Sequence, residues 1–384
     1  MSFIDISNFV NVSVSSPPAG LASYAVNNLA IFTKEAPVNG AITASAPGVY
    51  KSPSDVLTDW GAGSEVYAMA NLIFGQSPTI KDGDGSLVIF PMQSGDTLAV
   101  NIPLAITHVF FGGALYAGYA PTDDELLAAA TACETLRVKL FVSSYLAASA
   151  TPTTGLFWKI KQATQRHARC LPYLLGGDAV HARAMAAAYA GGGLSVDFTG
   201  VNTTSTRHGK SLVGILPDTG ISQTILDSFN AVGADCYISV GGGAQYVGKI
   251  FSSGANDFFD NVYNLDWLVF ALQVAGFNAI TTIGTKIPQT EPGMAVLKGA
   301  YISVLQQAVA NLFVAPGVWN SAELFGNPAD LRRNILNVGY YIFSQPINLQ
   351  AQADRVARKA PLVQIAIKYA GAIHSSNVIV AVNP

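Results

Sequence analysis

Thr204 to Ser211 (TSTRHGKS) ends in the Gly-Lys-Ser of a phosphate-binding loop. In that motif glycines let backbone N–H groups wrap a phosphate while the lysine reaches it. Position 204 has to be glycine for the loop to close, and threonine stands there, so nucleotide binding is not expected. Gly241-Gly242-Gly243 lacks the spacing of a dinucleotide fingerprint and reads as a loop. No G-x-S-x-G nucleophile elbow occurs. His108, His167, His181, His208 and His374 never fall at metal-ligand spacing with one another or with cysteine. His181, on an Ala-rich helix, reads as a partly buried polar residue. Asp257 and Asp260 could share a proton or hold a cation, but read more simply as loop or capping carboxylates ahead of a helix at Asn264. No catalytic residue, cofactor or metal ligand is therefore assigned. Cys133, Cys170 and Cys236 are odd in number and far apart, as reduced, buried thiols are.

Arg355, Arg358 and Lys359 are a different kind of candidate. Gln350 to Ala360 (QAQADRVARKA) has helical spacing, with Leu349, Ala353, Val356 and Ala360 on one face and Gln352, Arg355, Arg358 and Lys359 on the other. Pro361 stops that helix, having no N–H to donate. Such a cationic stripe is often an ordinary solvated helix face, but in a chain with only 12% charged residues, against about 25% in ordinary domains, it reads rather as a contact surface. Its apolar side is expected to face the subunit.

The elements that position these residues alternate. Strands are expected at Val26–Phe32, Leu87–Phe90, Ile106–Phe111, Val138–Val142, Arg169–Leu175 and Cys236–Val240. Helices are expected after Ser52 and Ser64, then over Thr122–Leu136, Thr154–Ala168, Asp178–Ala190 (stopped by three glycines) and Gln223–Ala231. The alternation predicts an α/β fold with a mainly parallel sheet and flanking helices. Helices over Asn264–Ala275 and Met294–Phe313, then a strand at Gly339–Phe343, lead into the terminal stretch. Val363, Ile365, Ile367 and Tyr369 alternate with polar positions, as do Val378, Val380 and Val382 after Gly371. Near the start, Val10, Val12 and Val14 do the same, cut off by Pro17, Pro18 and Gly20. Such terminal strands either edge the chain's own sheet or are donated to a neighbour.

Composition limits the function. Half the residues are hydrophobic and mean hydropathy is +0.34, yet 36 Gly and 19 Pro argue against a membrane helix bundle. The uncharged run Thr97–Thr122 is broken by Pro103, Gly112, Gly113 and Gly118, unlike the continuous apolar stretch of about 20 residues a bilayer needs. The first residues hold Asp5 and polar Asn and Ser where a signal peptide needs a basic start and an apolar core. A net charge of −3 gives no general attraction to nucleic acid. Surface so poor in charge is surface destined for burial in an assembly.

Five stretches, in this order, resemble the contractile tail sheath proteins of bacteriophages, a myophage sheath family. They are Tyr50–Phe74 (YKSPSDVLTDWGAGSEVYAMANLIF), Gly254–Trp267 (GANDFFDNVYNLDW), Ile287–Gly293 (IPQTEPG), Val314–Trp319 (VAPGVW) and Ala353–His374 (ADRVARKAPLVQIAIKYAGAIH). Gly241-Gly242-Gly243 departs from the pattern, standing where an ordinary strand end is expected. The resemblance implies a subtilisin-like, non-catalytic α/β topology with a C-terminal α+β domain and extended strand arms at both termini. The implied divisions are an arm at 1–20, the α/β sheath domain at 21–258, an inner domain facing the tube at 259–375 and an arm at 376–384. It also implies stacked, helical homo-oligomeric rings joined by strand exchange through Val10, Val12, Val14, Val378, Val380 and Val382. The implied partners are a tail tube protein, gripped by Arg355, Arg358 and Lys359, with baseplate and tail terminator proteins. The expected location is the virion tail, assembled in the host bacterial cytoplasm, with no direct nucleic acid contact and no membrane insertion. A soluble cytoplasmic α/β enzyme with an unidentified active site is the other reading the residues allow.

Overall fold

The computed structural model describes residues 24–240, the backbone of 243–247, and 257–379. Its contacts divide into two units. The larger comprises Tyr24–Leu268, Gln307–Ala315 and the chain from Lys368; the smaller comprises Val269–Gln306 and Pro316–Ile367.

The larger unit is built on a six-stranded sheet. Its strands are β1 (Leu29–Thr33), β2 (Gly48–Tyr50), β3 (Leu87–Pro91), β4 (Gly113–Ala117), β5 (Lys139–Ser144) and β6 (Ala168–Pro172). The spatial order is β2-β3-β1-β4-β5-β6, parallel except for the short edge strand β2. The expectation of a mainly parallel α/β sheet therefore holds. Register brings Ala30 beside Val88 and Ala114, and Phe32 beside Phe90 and Tyr116, all pointing to one face. On that face they pack against α3 (Leu98–Ala105), α4 (Asp123–Leu136), α5 (Leu156–Gln162) and α7 (Gln223–Val232). The opposite face meets α6 (Ala179–Gly193), which also packs against α2 (Glu65–Phe74). Burial on both faces explains why these strands read as continuous apolar runs.

Local chemistry fixes the helix starts. Ser52, with Pro53 following, caps α1 (Pro53–Trp60) by accepting from the Asp55 N–H; Ser64, Thr122, Asp178 and Ser222 act likewise on α2, α4, α6 and α7.

Two expectations are corrected. Ile106–Phe111 is not a strand. The chain is helical over α3, with Pro103 inside it, and the strand begins at Gly113. A Cβ at Gly113 would lie 2.6 Å from Leu194 and 2.9 Å from Phe141, so glycine opens the strand because neighbours press on it. Gly191–Gly193 do not stop α6 but complete it. A Cβ on Gly191 would stand 2.6 Å from the Ile73 carbonyl oxygen, and one on Gly192 2.7 Å from the Arg207 guanidinium. The glycines are the groove into which α2 and Arg207 fit. Beyond this sheet, β7 (Cys236–Val240) and β8 (Gly243–Val247) form an antiparallel pair; Gly241 and Gly242 lie outside the described residues.

Two long helices run from one unit into the other: α8 (Phe259–Thr281) and α9 (Glu291–Ala310). The smaller unit adds α10 (Pro328–Val338), β9 (Tyr340–Ser344), α11 (Gln352–Val356) and β10 (Val363–Ile367), with β9 and β10 antiparallel and Ile342 opposite Ile365. It is helical with one two-stranded sheet. Its core is thin: Met294, Leu297 and Ile347 form one cluster, Leu331, Ile335 and Ala366 another. After β10 the chain rejoins the larger unit, where Tyr369 bridges Val314.

Candidate interaction surface

A parallel sheet offers a ligand crevice where successive connections leave on opposite faces, outside the carboxyl ends of the strands. Here that point lies between β1 and β4, and the chain's own side chains fill it. Glu35, just past β1, accepts from the N–H groups of Glu65 (2.9 Å) and Val66 (3.1 Å), the place at a helix N-terminus where a phosphate would sit. Glu65 in turn accepts from the Gly118 N–H (2.9 Å) past β4 and pairs with the buried Arg183 (2.9 Å from Nη2). The crevice is an internal ion network.

The other candidate chemistry resolves into structural roles. Thr204 donates its hydroxyl to the Asn311 carbonyl (2.9 Å), and no helix follows Ser211 to offer a phosphate its N-terminus. Asp257 pairs with Arg166 at 2.7 Å. Asp260 lies in the first turn of α8, which starts earlier than expected, and burial pushes its carboxyl up. His181 pairs with its own helix cap, Asp178, at 2.9 Å. His208 and His374 stack, ring centroids 4.5 Å apart. Cys133, Cys170 and Cys236 are buried and free. Among the described residues no group of three or more His, Cys, Asp and Glu could hold a metal ion. Nor is any described helix long and apolar enough to cross a membrane.

Two buried ion clusters were not foreseen. Lys139, at the start of β5, and Asp266, on α8, lie 2.7 Å apart with both side chains 1% exposed. Asp266 also takes Arg137 (3.1 Å) and His167 Nε2 (3.1 Å), while His167 Nδ1 faces Glu134 at 2.9 Å. Burial pushes the Asp266 carboxyl up, but Lys139 and His167 outweigh it and hold it at about 2. Burial likewise pulls the His167 imidazole down, and its hydrogen bonds to Asp266 and Glu134 more than reverse this. In the second cluster, Arg169 pairs with Asp235, which also accepts from the Tyr189 hydroxyl (2.7 Å). A lysine inside the apolar run Val138–Val142 was the available signal, since a buried ammonium needs a carboxylate.

The cationic stretch belongs to the smaller unit, and its local structure departs from expectation. The helix is only the short α11, ending at Val356. Arg358 takes a left-handed φ of +56°, an uncommon conformation for a side chain of its size. The turn is clamped: the Lys359 N–H donates to the Asp354 carbonyl, and the Lys359 carbonyl accepts from the side-chain amides of Gln289 (3.3 Å) and Gln350 (2.9 Å). Buried Pro361 then ends it. The expected apolar face does not pack on the subunit; Leu349 is 68% and Val356 72% exposed, and Ala353 and Ala360 are exposed too. The physical reason is that, among the described residues, the smaller unit offers no apolar layer opposite it. Arg355, Arg358 and Lys359 are exposed on one short segment.

Below the turn is a cavity of about 310 Å³. The stretch Ile287–Gly293 builds its wall: Gln289 holds Lys359, Glu291 accepts from the Ile347 N–H (2.7 Å), and a Cβ on Gly293 would lie 2.0 Å from the Pro288 carbonyl oxygen. Of the six residues assigned to strand exchange, Val378 is described, lies outside any strand and is 80% exposed; Val10, Val12, Val14, Val380 and Val382 lie outside the described residues.

No curated protein matches the chain. Residues 259–382, about a third of it, match the family model described as E217 tail sheath protein gp31-like, C-terminal domain. That segment starts at the first residue of α8 and takes in both ion-paired Asp266 and the cationic turn. The C-terminal third of the chain is thus similar to the C-terminal domain of a phage tail sheath protein, in agreement with the resemblance read from the sequence.

Proposed function

We propose that the chain is the repeating structural subunit of a contractile phage tail sheath, polymerising around a tail tube and shortening collectively to drive the tube through the host envelope. The observation that carries this is the sheath-domain match over 259–382. The make-up of the smaller unit supports it. Leu336, Leu349, Val356 and Leu362 are all more than half exposed around a thin core, as in a surface completed by other subunits. The strand pair β9–β10 is only two strands wide, so a neighbour's strand could extend it. That is the role we assign to Val10, Val12, Val14, Val378, Val380 and Val382.

Charge is divided as such an assembly would use it. The smaller unit has seven Lys and Arg against four Asp and Glu, a net +3 in a chain whose total is −3. We assign Arg355, Arg358 and Lys359 to the tube, whose facing surface is then acidic. Exposed pairs of this kind contribute about 0–1 kcal/mol each, weak enough to release yet repeated along the tail. Baseplate and terminator proteins would meet the same lattice at its ends. The filled crevice between β1 and β4 weighs against an enzymatic reading.

Negative-stain microscopy of the purified protein is the direct test. Rings or tubes are expected, and deleting 376–384 should leave folded subunits that no longer polymerise. Uniform monomers of the intact chain across salt and concentration would overturn the proposal.

A further inference from the structure

The cavity beneath the cationic turn has a floor of Ile280, Ile287, Met294, Leu297 and Ile347. Its rim carries Lys286, Arg358 and Lys359, and no carboxylate lines it. Lys286 and Arg358 make no ion pair among the described residues, and Lys359 reaches only Asp354, at 3.5 Å. Glu291, the nearest carboxylate in sequence, is turned to the Ile347 N–H and so is spent inside the wall.

This is an unusual pairing for exposed protein surface. A cationic rim by itself grips by charge and slides; an apolar floor by itself is sticky without direction. Together they define a complement with an aliphatic side chain at its centre and carboxylates beside it. The volume stands at the bottom of the ~300–1,000 Å³ range of small-molecule sites. The floor has no aromatic ring on which a nucleobase would stack, so a nucleotide is a poor fit. An inserted side chain is a good one, because Met294, Leu297 and Ile347 already form a packed cluster that it would extend.

We infer that the grip on the tube, if the reading above is right, is not electrostatic alone: a tube segment of acidic residues flanking an aliphatic one docks here, its aliphatic side chain entering the cavity between Lys286 and the Arg358–Lys359 turn. The clamped left-handed turn then has a purpose, holding two cations over the mouth while Gln289 and Gln350 fix its backbone.

The two components separate by salt. At 1 M ionic strength screening shortens to about 3 Å, which removes exposed charge pairs but strengthens nothing against an apolar anchor. The full chain is coexpressed with the tube protein of the same tail, and sheath retained on sedimented tubes is measured at 0.15 M and 1 M NaCl. Wild-type sheath is expected to stay partly bound at 1 M. Ile280 is 64% exposed, so Ile280→Gln leaves the fold intact, verified by circular dichroism and by sheath assembly without tube. It should lower retention at 1 M at least tenfold, the scale of one buried aliphatic side chain. Arg355→Glu with Lys359→Glu tests the underlying reading at 0.15 M. If that double variant releases the tube while Ile280→Gln holds on like wild type, the cavity is no anchor and the tube reading stands. If both hold, both fail. Complete release of wild type at 1 M, or an Ile280→Gln chain that no longer assembles without tube, also overturns the inference, the latter by assigning the cavity to contacts between sheath copies.

Discussion

Replacing Asp266 by asparagine keeps its shape and removes one charge from the cluster that ties the start of α8 to β5. The Lys139 ammonium, 1% exposed and 2.7 Å from that carboxylate, is left without an anion, facing only the neutral asparagine amide, the Arg137 carbonyl at 3.4 Å and the Tyr263 ring at 5.2 Å. At an effective dielectric of about 20 the lost attraction is roughly 6 kcal/mol gross. Most of that only offsets the cost of burying the charges, so the net loss follows the usual ~3–5 kcal/mol for orphaning a buried ion. For a unit of this size about 2–4 °C accompanies each kcal/mol, giving a fall of order 10 °C in Tm. Lys139→Met should cost less, because Asp266 keeps Arg137 and His167. The double variant Lys139→Met with Asp266→Leu removes both charges, and should recover most of the loss despite leaving His167 with Glu134 alone. Differential scanning calorimetry on the three variants decides the matter. An Asp266→Asn Tm within 1–2 °C of wild type, or a double variant worse than either single one, refutes the argument that Lys139 and Asp266 depend on each other.

His167 gives a pH test. Its folded pKa is raised above the unfolded value of about 6.5, so its contribution is full below that pH and is lost as pH climbs through the raised value. The stability gap between wild type and His167→Gln should therefore be widest near pH 6 and narrow by pH 9; a constant gap in urea titrations counts against it. Gly191→Ala should destabilise by at least ~1–3 kcal/mol, since its methyl meets backbone of α2 that cannot step aside, and an unchanged urea midpoint would contradict the packing described. ATP should show no saturable binding in calorimetry, with Lys210→Ala indistinguishable from wild type; binding that this substitution abolishes would reopen the enzymatic reading.

Features depending on residues close in sequence were legible without coordinates. Ser52 followed by Pro53, Ser64 before Glu65 and Thr122 before three carboxylates announced helix starts because a cap is satisfied within three residues. The threonine at 204 stands where a phosphate loop needs its first glycine. The alternation of elements gave the parallel sheet, and five short stretches gave the sheath resemblance that the match over 259–382 supports.

Tertiary contact decided the rest. Arg137 and Asp266 are 129 residues apart, and no local pattern says that a lysine in a strand and an aspartate in a distant helix share one buried site. Gly191–Gly193 look like a helix end, because glycine disfavours helix, until α2 and Arg207 occupy the space their side chains would need. The stripe of Leu349, Ala353, Val356 and Ala360 has helical period, but period states only which residues share a face. Whether that face is buried depends on there being something opposite it, and among the described residues there is not; the helix stops at Val356 and the clamped turn carries Arg358 and Lys359 over the cavity.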